Sequence, residues 1–205
     1  MQINIDKKTG ILISIIVGLL LIIGLISFGS VRDHDRDSDH MGMHGQSQGQ
    51  MMNTGENTFT GSDIMFAQMM IPHHQQAIEM SDLAIKISKN SELINLAKQI
   101  KAEQTPEITQ MRNWLTAANA SETMDHSMGM GGMLSDSEIS TLAKSTGKKF
   151  DSLFLNGMIA HHEGAIHMVM MIEDSSNAEV KALGESIIKT QTSEITLMKD
   201  LLNRI

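Results

Sequence analysis

Two adjacent His pairs recur in the chain, and each lies between two methionines at the same spacing. The residues are Met70, His73, His74 and Met80 in the first copy, and Met158, His161, His162 and Met168 in the second. On a helix, with about 100° per residue, the first His of each pair shares a stripe with both methionines. Such a mixed imidazole and thioether set suits Cu(I) or its mimic Ag(I), and suits hard ions such as Mg²⁺ poorly. The spacing therefore predicts a copper site, with Cu(I) favoured.

The second His of each pair lies nearer the edge of the stripe. His74 and His162 either form a second metal site or hydrogen-bond to Glu107 and Glu194 on the following helices. Since protonation near pH ~6.5 removes imidazole as a ligand whereas thioether stays, affinity should weaken from pH 7 to 5 without vanishing.

Further candidates lie around these motifs. Met111 and Met198 recur on the helices that follow the His pairs, and His167 stands where the first copy has Glu79. A single His or a Met stripe on an apolar helix face is usually packing, but the recurrence of both favours a functional site. Met and His in the Gly-rich stretches 40–44 and 124–130 indicate weaker, low-specificity metal capture or merely biased composition.

The His pairs belong to a longer internal repeat. Residues 63–80 align with 151–168 at an offset of 88, and nine of these 18 positions are identical. The helices that follow align at an offset of 87. The identities of the first helix fall within roughly half of its circumference, so each copy predicts a hairpin with a matched inner face. We expect the two hairpins to bury those faces together and to build the metal site jointly.

Helical periodicity without a strand pattern predicts an all-α fold. The expected long helices lie near 62–88, 91–117, 148–174 and 177–204, with a short one near 136–145. Capping-box patterns begin at Ser135 and Ser176. Pro72 and Pro106 should interrupt and kink the first two helices, because each removes a backbone donor. The prediction is a four-helix bundle over 59–205, with repeats at 60–118 and 148–205 and a Met-rich loop at 119–134.

A membrane anchor is predicted before the bundle. Residues 11–29 are apolar and uncharged, about the length that crosses a bilayer core. Lys7 and Lys8 precede this run, which favours a cytoplasmic terminus at 1–10 and export of the remainder. No clear cleavage site follows, so a transmembrane anchor is favoured over a cleaved signal. Residues 30–58 contain few large aliphatic side chains and predict a flexible linker.

Composition excludes several functions. With 16 Lys and Arg against 24 Asp and Glu, the formal net charge is −8. An acidic chain of this kind lacks the excess of basic residues with which proteins bind nucleic acid. The chain has no Cys, so disulfides and thiolate metal sites are excluded. The Glu-x-x-His spacing of di-iron bundles is missing from the predicted helices.

The Met-x-x-His-His-x-x-Ala-x-x-Met helix, followed by Gln-x-x-Glu-Ile-x-x-Met, resembles the bacterial domain-of-unknown-function family 305. The resemblance covers residues from about 60 to 205 and implies a ferritin-like four-helix bundle. Some members, including the periplasmic CopM type, are associated with copper binding and resistance. It implies as ligands the residues that match the motif, namely His73, His74, Met80, His161, His162 and Met168.

Together these features predict a non-enzymatic protein of the cell membrane, a single-pass chain whose extracytoplasmic domain sequesters copper or hands it over. A copper exporter or chaperone is the expected protein partner. A metal-dependent redox enzyme on a ferritin-like scaffold is the alternative, and a purely structural envelope protein is a third interpretation.

Overall fold

The computed structural model describes residues 58–123 and 130–205, and this part of the chain is helical, without strands. The helices are α1 (Gly61–Ile87), α2 (Ser91–Ala117), α3 (Asp136–Lys144), α4 (Gly147–Val169) and α5 (Ala178–Leu202), with a 3₁₀ turn at Met170–Ile172. The all-α prediction is confirmed for these residues, and a ferritin-like bundle stays a prediction. No helix in the described ranges is long and apolar enough to cross a membrane. The predicted segments at 1–10 and 11–29, and all of the 30–58 linker except residue 58, lie outside these ranges.

The first hairpin consists of α1 and α2. Thr60 begins α1 with a capping box, since its hydroxyl accepts from the Asp63 N–H while the Asp63 carboxylate accepts from the Thr60 N–H. Asn90 caps α2 through its side-chain oxygen. Both helices continue through Pro72 and Pro106, so the prolines do not break them, and the expected kinks stay a prediction. The packing of a long helix on its neighbours tolerates one missing backbone donor.

The second hairpin consists of α4 and α5. The short helix α3 precedes it and starts with the predicted capping box of Ser135 and Glu138. The capping box predicted from Ser176 is wrong, because Asn177 is the cap residue and its side-chain oxygen accepts from the N–H groups of Glu179 and Val180. That oxygen binds the free N–H groups of the first turn. The cap therefore lies one residue after the position that the pattern indicated.

The two hairpins meet mainly through α1 and α4, while α1 packs along α2 and α4 along α5. One apolar cluster combines the start of α1, at Phe66 and Met70, with the end of α4, at Met168. A second cluster combines the later part of α1 with the earlier part of α4, including Met80 and Phe154. The two central helices therefore run antiparallel, and residues from the middle of each lie between the clusters.

Candidate metal centre

His73 and His161 are in contact in the middle of the bundle. Their ring centroids are 3.7 Å apart, with 39° between the ring planes. Both residues are 0% exposed. The antiparallel arrangement of α1 and α4 causes this contact, because it brings the two middles together from opposite hairpins. The structure thus brings together one His from each predicted motif.

Most nitrogens of these two rings have no hydrogen-bond partner. The Nε2–H of His73 donates to the Gly131 carbonyl at 3.2 Å, which leaves a lone pair on Nδ1. That Nδ1 and both ring nitrogens of His161 are buried and unpaired among the described residues. A buried polar atom without a partner costs roughly 1–3 kcal/mol. Three such atoms on two touching imidazoles are typical of a ligand site.

Burial also sets the protonation state of these rings. It lowers the pKa of His73 from 6.5 to about 3, and the neighbouring His74 adds a smaller effect in the same direction. Burial likewise lowers the pKa of His161 well below its usual range, with a smaller contribution from His73. Both rings are therefore neutral at pH 7, and neutral imidazole is the form that binds metals.

The connection between the hairpins lies directly over this contact. Gly132 has a φ of +84° and would place a Cβ 2.3 Å from the Ala160 carbonyl oxygen. A Cβ on Gly164 of α4 would lie 2.0 Å from the Gly131 carbonyl oxygen. Only glycine allows this approach of two backbones. On α1, the Gln76 amide binds both the N–H and the C=O of Leu134, each at 2.8 Å.

The second His of each pair bonds to a carboxylate on the neighbouring helix. The Nε2 atom of His74 lies 2.7 Å from Glu107 Oε2, and that of His162 lies 2.8 Å from Glu194 Oε2. The hydrogen-bonded alternative for His74 and His162 is therefore present in the structure. Their Nδ1 atoms are buried without a partner. Burial lowers the pKa of His162 to about 4, partly offset by the charge of Glu107.

Glu103 is a buried acid that the sequence argument missed. It is 9% exposed, and its Oε1 atom accepts from the Gln99 amide at 3.3 Å. The pKa of Glu103 is raised to about 8, mainly by burial and less by the charge of Glu194, and burial raises the pKa of Glu194 to about 8 as well. The repeat gave no sign of Glu103 because its counterpart at 103 + 87 is Thr190. Its position on the inner stripe, between Ile100 and Glu107, was the available signal.

The predicted methionine ligands are all buried, and they surround the His residues from two sides. The apolar cluster at one end holds Met70, Met111 and Met168, and the cluster at the other end holds Met80, Met158 and Met198. Each cluster takes thioethers from both hairpins. Packing alone accounts for their burial, and the nearest of them along the helices, Met70 and Met158, lie about one turn from His73 and His161.

The remaining candidates lie elsewhere. His167 is exposed on the outer side of α4, away from the interior. The loop histidines and methionines at 40–44 and 124–129 lie outside the described residues. Within the described ranges, no three His, Asp or Glu side chains are grouped so that they could hold one metal ion.

The chain matches the model of the family described as "Domain of unknown function (DUF305)" over residues 63–202, and it therefore belongs to that family. A comparison with functionally curated proteins gives no match.

Solved structures of similar proteins include members of this family. A DUF305 protein of Streptomyces coelicolor is 33% identical, with a TM-score of 0.67 over 70% of this chain and 91% of that chain. CopM in its Cu(I)-bound form is 30% identical, with a TM-score of 0.60 over 72% of this chain and 98% of that chain. CopM has also been solved in Cu(II)-bound and Ag-bound forms.

Proposed function

We propose that the bundle binds Cu(I) between its two hairpins and stores or hands over the ion without catalysing a reaction. The observation that carries this proposal is the contact of His73 and His161 at 3.7 Å between ring centroids. These rings belong to different hairpins, and three of their four nitrogens are buried without a partner in the part of the chain that the structure describes. A neutral, desolvated imidazole pair of this kind gains its missing interactions when it binds a cation.

The choice of Cu(I) follows from the surrounding ligands. Thioether sulfur is soft and binds Cu(I) or Ag(I) in preference to hard divalent ions. Six buried thioethers lie in the two clusters that flank the imidazoles. The similar protein CopM, solved with Cu(I), Cu(II) and Ag, supports copper or silver as the bound ion.

The outer histidines have a supporting role in this proposal. His74 and His162 each use Nε2 for a carboxylate, and metal-binding histidines commonly bond their second nitrogen in this way. The buried Nδ1 atom of His74 is available to an ion that moves off the central pair. Glu107 and Glu194 orient these rings.

We further propose that the domain works outside the cytoplasm, tethered by residues 11–29 as a single-pass anchor. Lys7 and Lys8 before the apolar run support this orientation. A copper exporter or chaperone is the proposed source or acceptor of the ion. Protease added to intact spheroplasts should remove the 60–205 region, and protection of that region would contradict this topology.

The metal proposal is tested by a double-mutant cycle in the full-length chain. His73→Ala and His161→Ala should each weaken Cu(I) binding in competition with a colorimetric chelator, and the double variant should lose little more than either single one. Leu155→Ala, which removes a fully buried side chain from the same helix, is the control for lost packing and should keep the site. Equal affinity in the double variant and the wild type would contradict the proposal, and additive losses would indicate two separate sites.

A further inference from the structure

The outer faces of the two hairpins differ at three positions that the sequence repeat aligns. In the first hairpin these positions hold Glu79, Asp82 and Lys101. Asp82 and Lys101 form an exposed ion pair at 2.6 Å. At offsets of 88, 88 and 87 the second hairpin holds His167, Met170 and Ile188. An imidazole, a thioether and an aliphatic side chain thus replace a charged surface.

The three replacements line one groove between α4, the 3₁₀ turn and α5. The groove has a volume of about 660 Å³. Met170 is 64% exposed and Ile188 is 42% exposed. The Met170 thioether is therefore open to solvent at the edge of this groove.

Local geometry places His167 and Met170 on the same side of the chain. The two residues are three positions apart where α4 passes into the 3₁₀ turn, and the Met170 N–H donates to the His167 carbonyl. Side chains at i and i+3 eclipse one another in a 3₁₀ turn. The imidazole and the thioether therefore face the groove together.

The charges around this pair favour a cation. The last turn of a helix carries partial negative charge on its free carbonyl groups, and His167 lies in the last turn of α4. Three carboxylates line the groove, from Glu163, Glu173 and Glu185, against one ammonium group, from Lys181. Glu163 is also paired with Lys199.

We propose that His167 and Met170 form a second, surface site for a soft monovalent cation, Cu(I) or Ag(I). The site takes up or releases ions at the outside of the bundle, separately from the interior His pair. It extends the proposed function to the exchange step, and its ligands do not depend on the interior site.

The test is site-resolved chemical footprinting of the full-length chain with Ag(I), in chloride-free buffer. Diethyl pyrocarbonate modifies free imidazole and hydrogen peroxide oxidises free thioether, and peptide mass spectrometry reads each residue separately. At Ag(I) concentrations ten times the dissociation constant, modification of His167 and Met170 should both slow by about tenfold. Leu197→Met adds a matched exposed thioether on α5, at a position that is 41% exposed, and that thioether should oxidise equally with and without Ag(I).

Two variants make the test decisive. Met170→Leu keeps the side-chain volume but should abolish the protection of His167. His73→Ala combined with His161→Ala should leave that protection intact, even if the interior site binds nothing. The proposal is overturned by unprotected residues, by protection of His167 that persists in Met170→Leu, or by protection that disappears with the interior histidines.

Discussion

At positions related by the offset of 88, Gln76 and Gly164 meet the same connection in different ways. Gln76 binds the backbone of Leu134 with its amide group, whereas Gly164 has no side chain and lets the Gly131 carbonyl come close. Where the hairpins face each other, in contrast, they match: His74 with Glu107 and His162 with Glu194 form equivalent pairs. In these examples the residues match where the two hairpins face each other, and they differ where both hairpins contact the single connection between them.

The same comparison applies to the interior polar residues. Only the first hairpin contributes a buried acid at its Glu103 position, since the second has Thr190 there. Likewise, among the described residues, only the His73 ring bonds to the connection, by donating its Nε2–H to the Gly131 carbonyl. The two central imidazoles thus have different surroundings despite equivalent sequence positions, and the following changes test what each difference contributes.

The largest effect is expected from Gly164→Ala. Its new Cβ would lie 2.0 Å from the Gly131 carbonyl oxygen, so the connection must move away and His73 loses its bond. We expect the free energy of unfolding to fall by roughly 2–4 kcal/mol, measured by urea denaturation. Gly61→Ala is the control, because a Cβ there meets nothing within 4 Å. Equal effects of the two changes would show that the close backbone contact does not contribute to stability.

A smaller, pH-dependent effect is expected from Glu103→Thr, which gives the first hairpin the residue of the second. The pKa of Glu103 is raised from 4.5 to about 8 in the folded chain, mainly by burial. Its contribution to stability is therefore complete below pH 4.5 and is lost as the pH rises through 8. By linkage, the full shift from 4.5 to about 8 corresponds to roughly 4 kcal/mol between pH 5 and pH 8.5. Because water partly screens this carboxyl group, the variant should gain roughly 1–2 kcal/mol relative to the wild type over that interval. A difference that does not change over this interval would contradict the buried, protonated carboxyl.

The features that could be predicted from the sequence are those that occur in both copies of the repeat. The inner stripes, the two hairpins and the burial of Met70, Met80, Met158 and Met168 follow from helical periodicity alone. The contact of His73 with His161 could not be predicted from periodicity, because the antiparallel crossing of α1 and α4 determines which turns of the two helices meet.

Residues without a counterpart were harder to predict. Glu103 has no acidic counterpart in the second copy of the repeat. The contact of Gly131 with His73 spans 58 residues of sequence. The surface position of His167 was also not evident, since its neighbour Met168 points into the core. The helix start at Asn177 depended on which of two adjacent polar side chains reaches the free N–H groups.

The next prediction concerns the pH dependence of Cu(I) binding. Ordinary histidines with a pKa near 6.5 would lose about thirtyfold in affinity per imidazole between pH 7 and 5, through proton competition. Burial lowers the pKa of His73 to about 3, so protons compete with the metal only at much lower pH. The weakening expected between pH 7 and pH 5 is therefore replaced by an affinity change of less than about twofold. Chelator competition at both pH values measures this affinity change. The double variant with His73→Ala and His161→Ala gives the background. A steep loss of affinity by pH 5 would mean that the rings are exposed to protons before they bind copper.

The smallest effect is expected on the outer faces, where the hairpins differ most in chemistry. Asp82→Met gives the first hairpin the residue of the second and removes the ion pair with Lys101, and Met170→Asp makes the reverse change. The partners of that pair are 42% and 54% exposed, and solvent screens such pairs so that they contribute little. Each change should alter the free energy of unfolding by less than about 0.5 kcal/mol in urea denaturation. If Asp82→Met instead cost more than about 1 kcal/mol, the charged surface would be a stabilising feature of the first hairpin. An unchanged stability would mean that folding does not explain why His167 and Met170 stand where their counterparts are acidic.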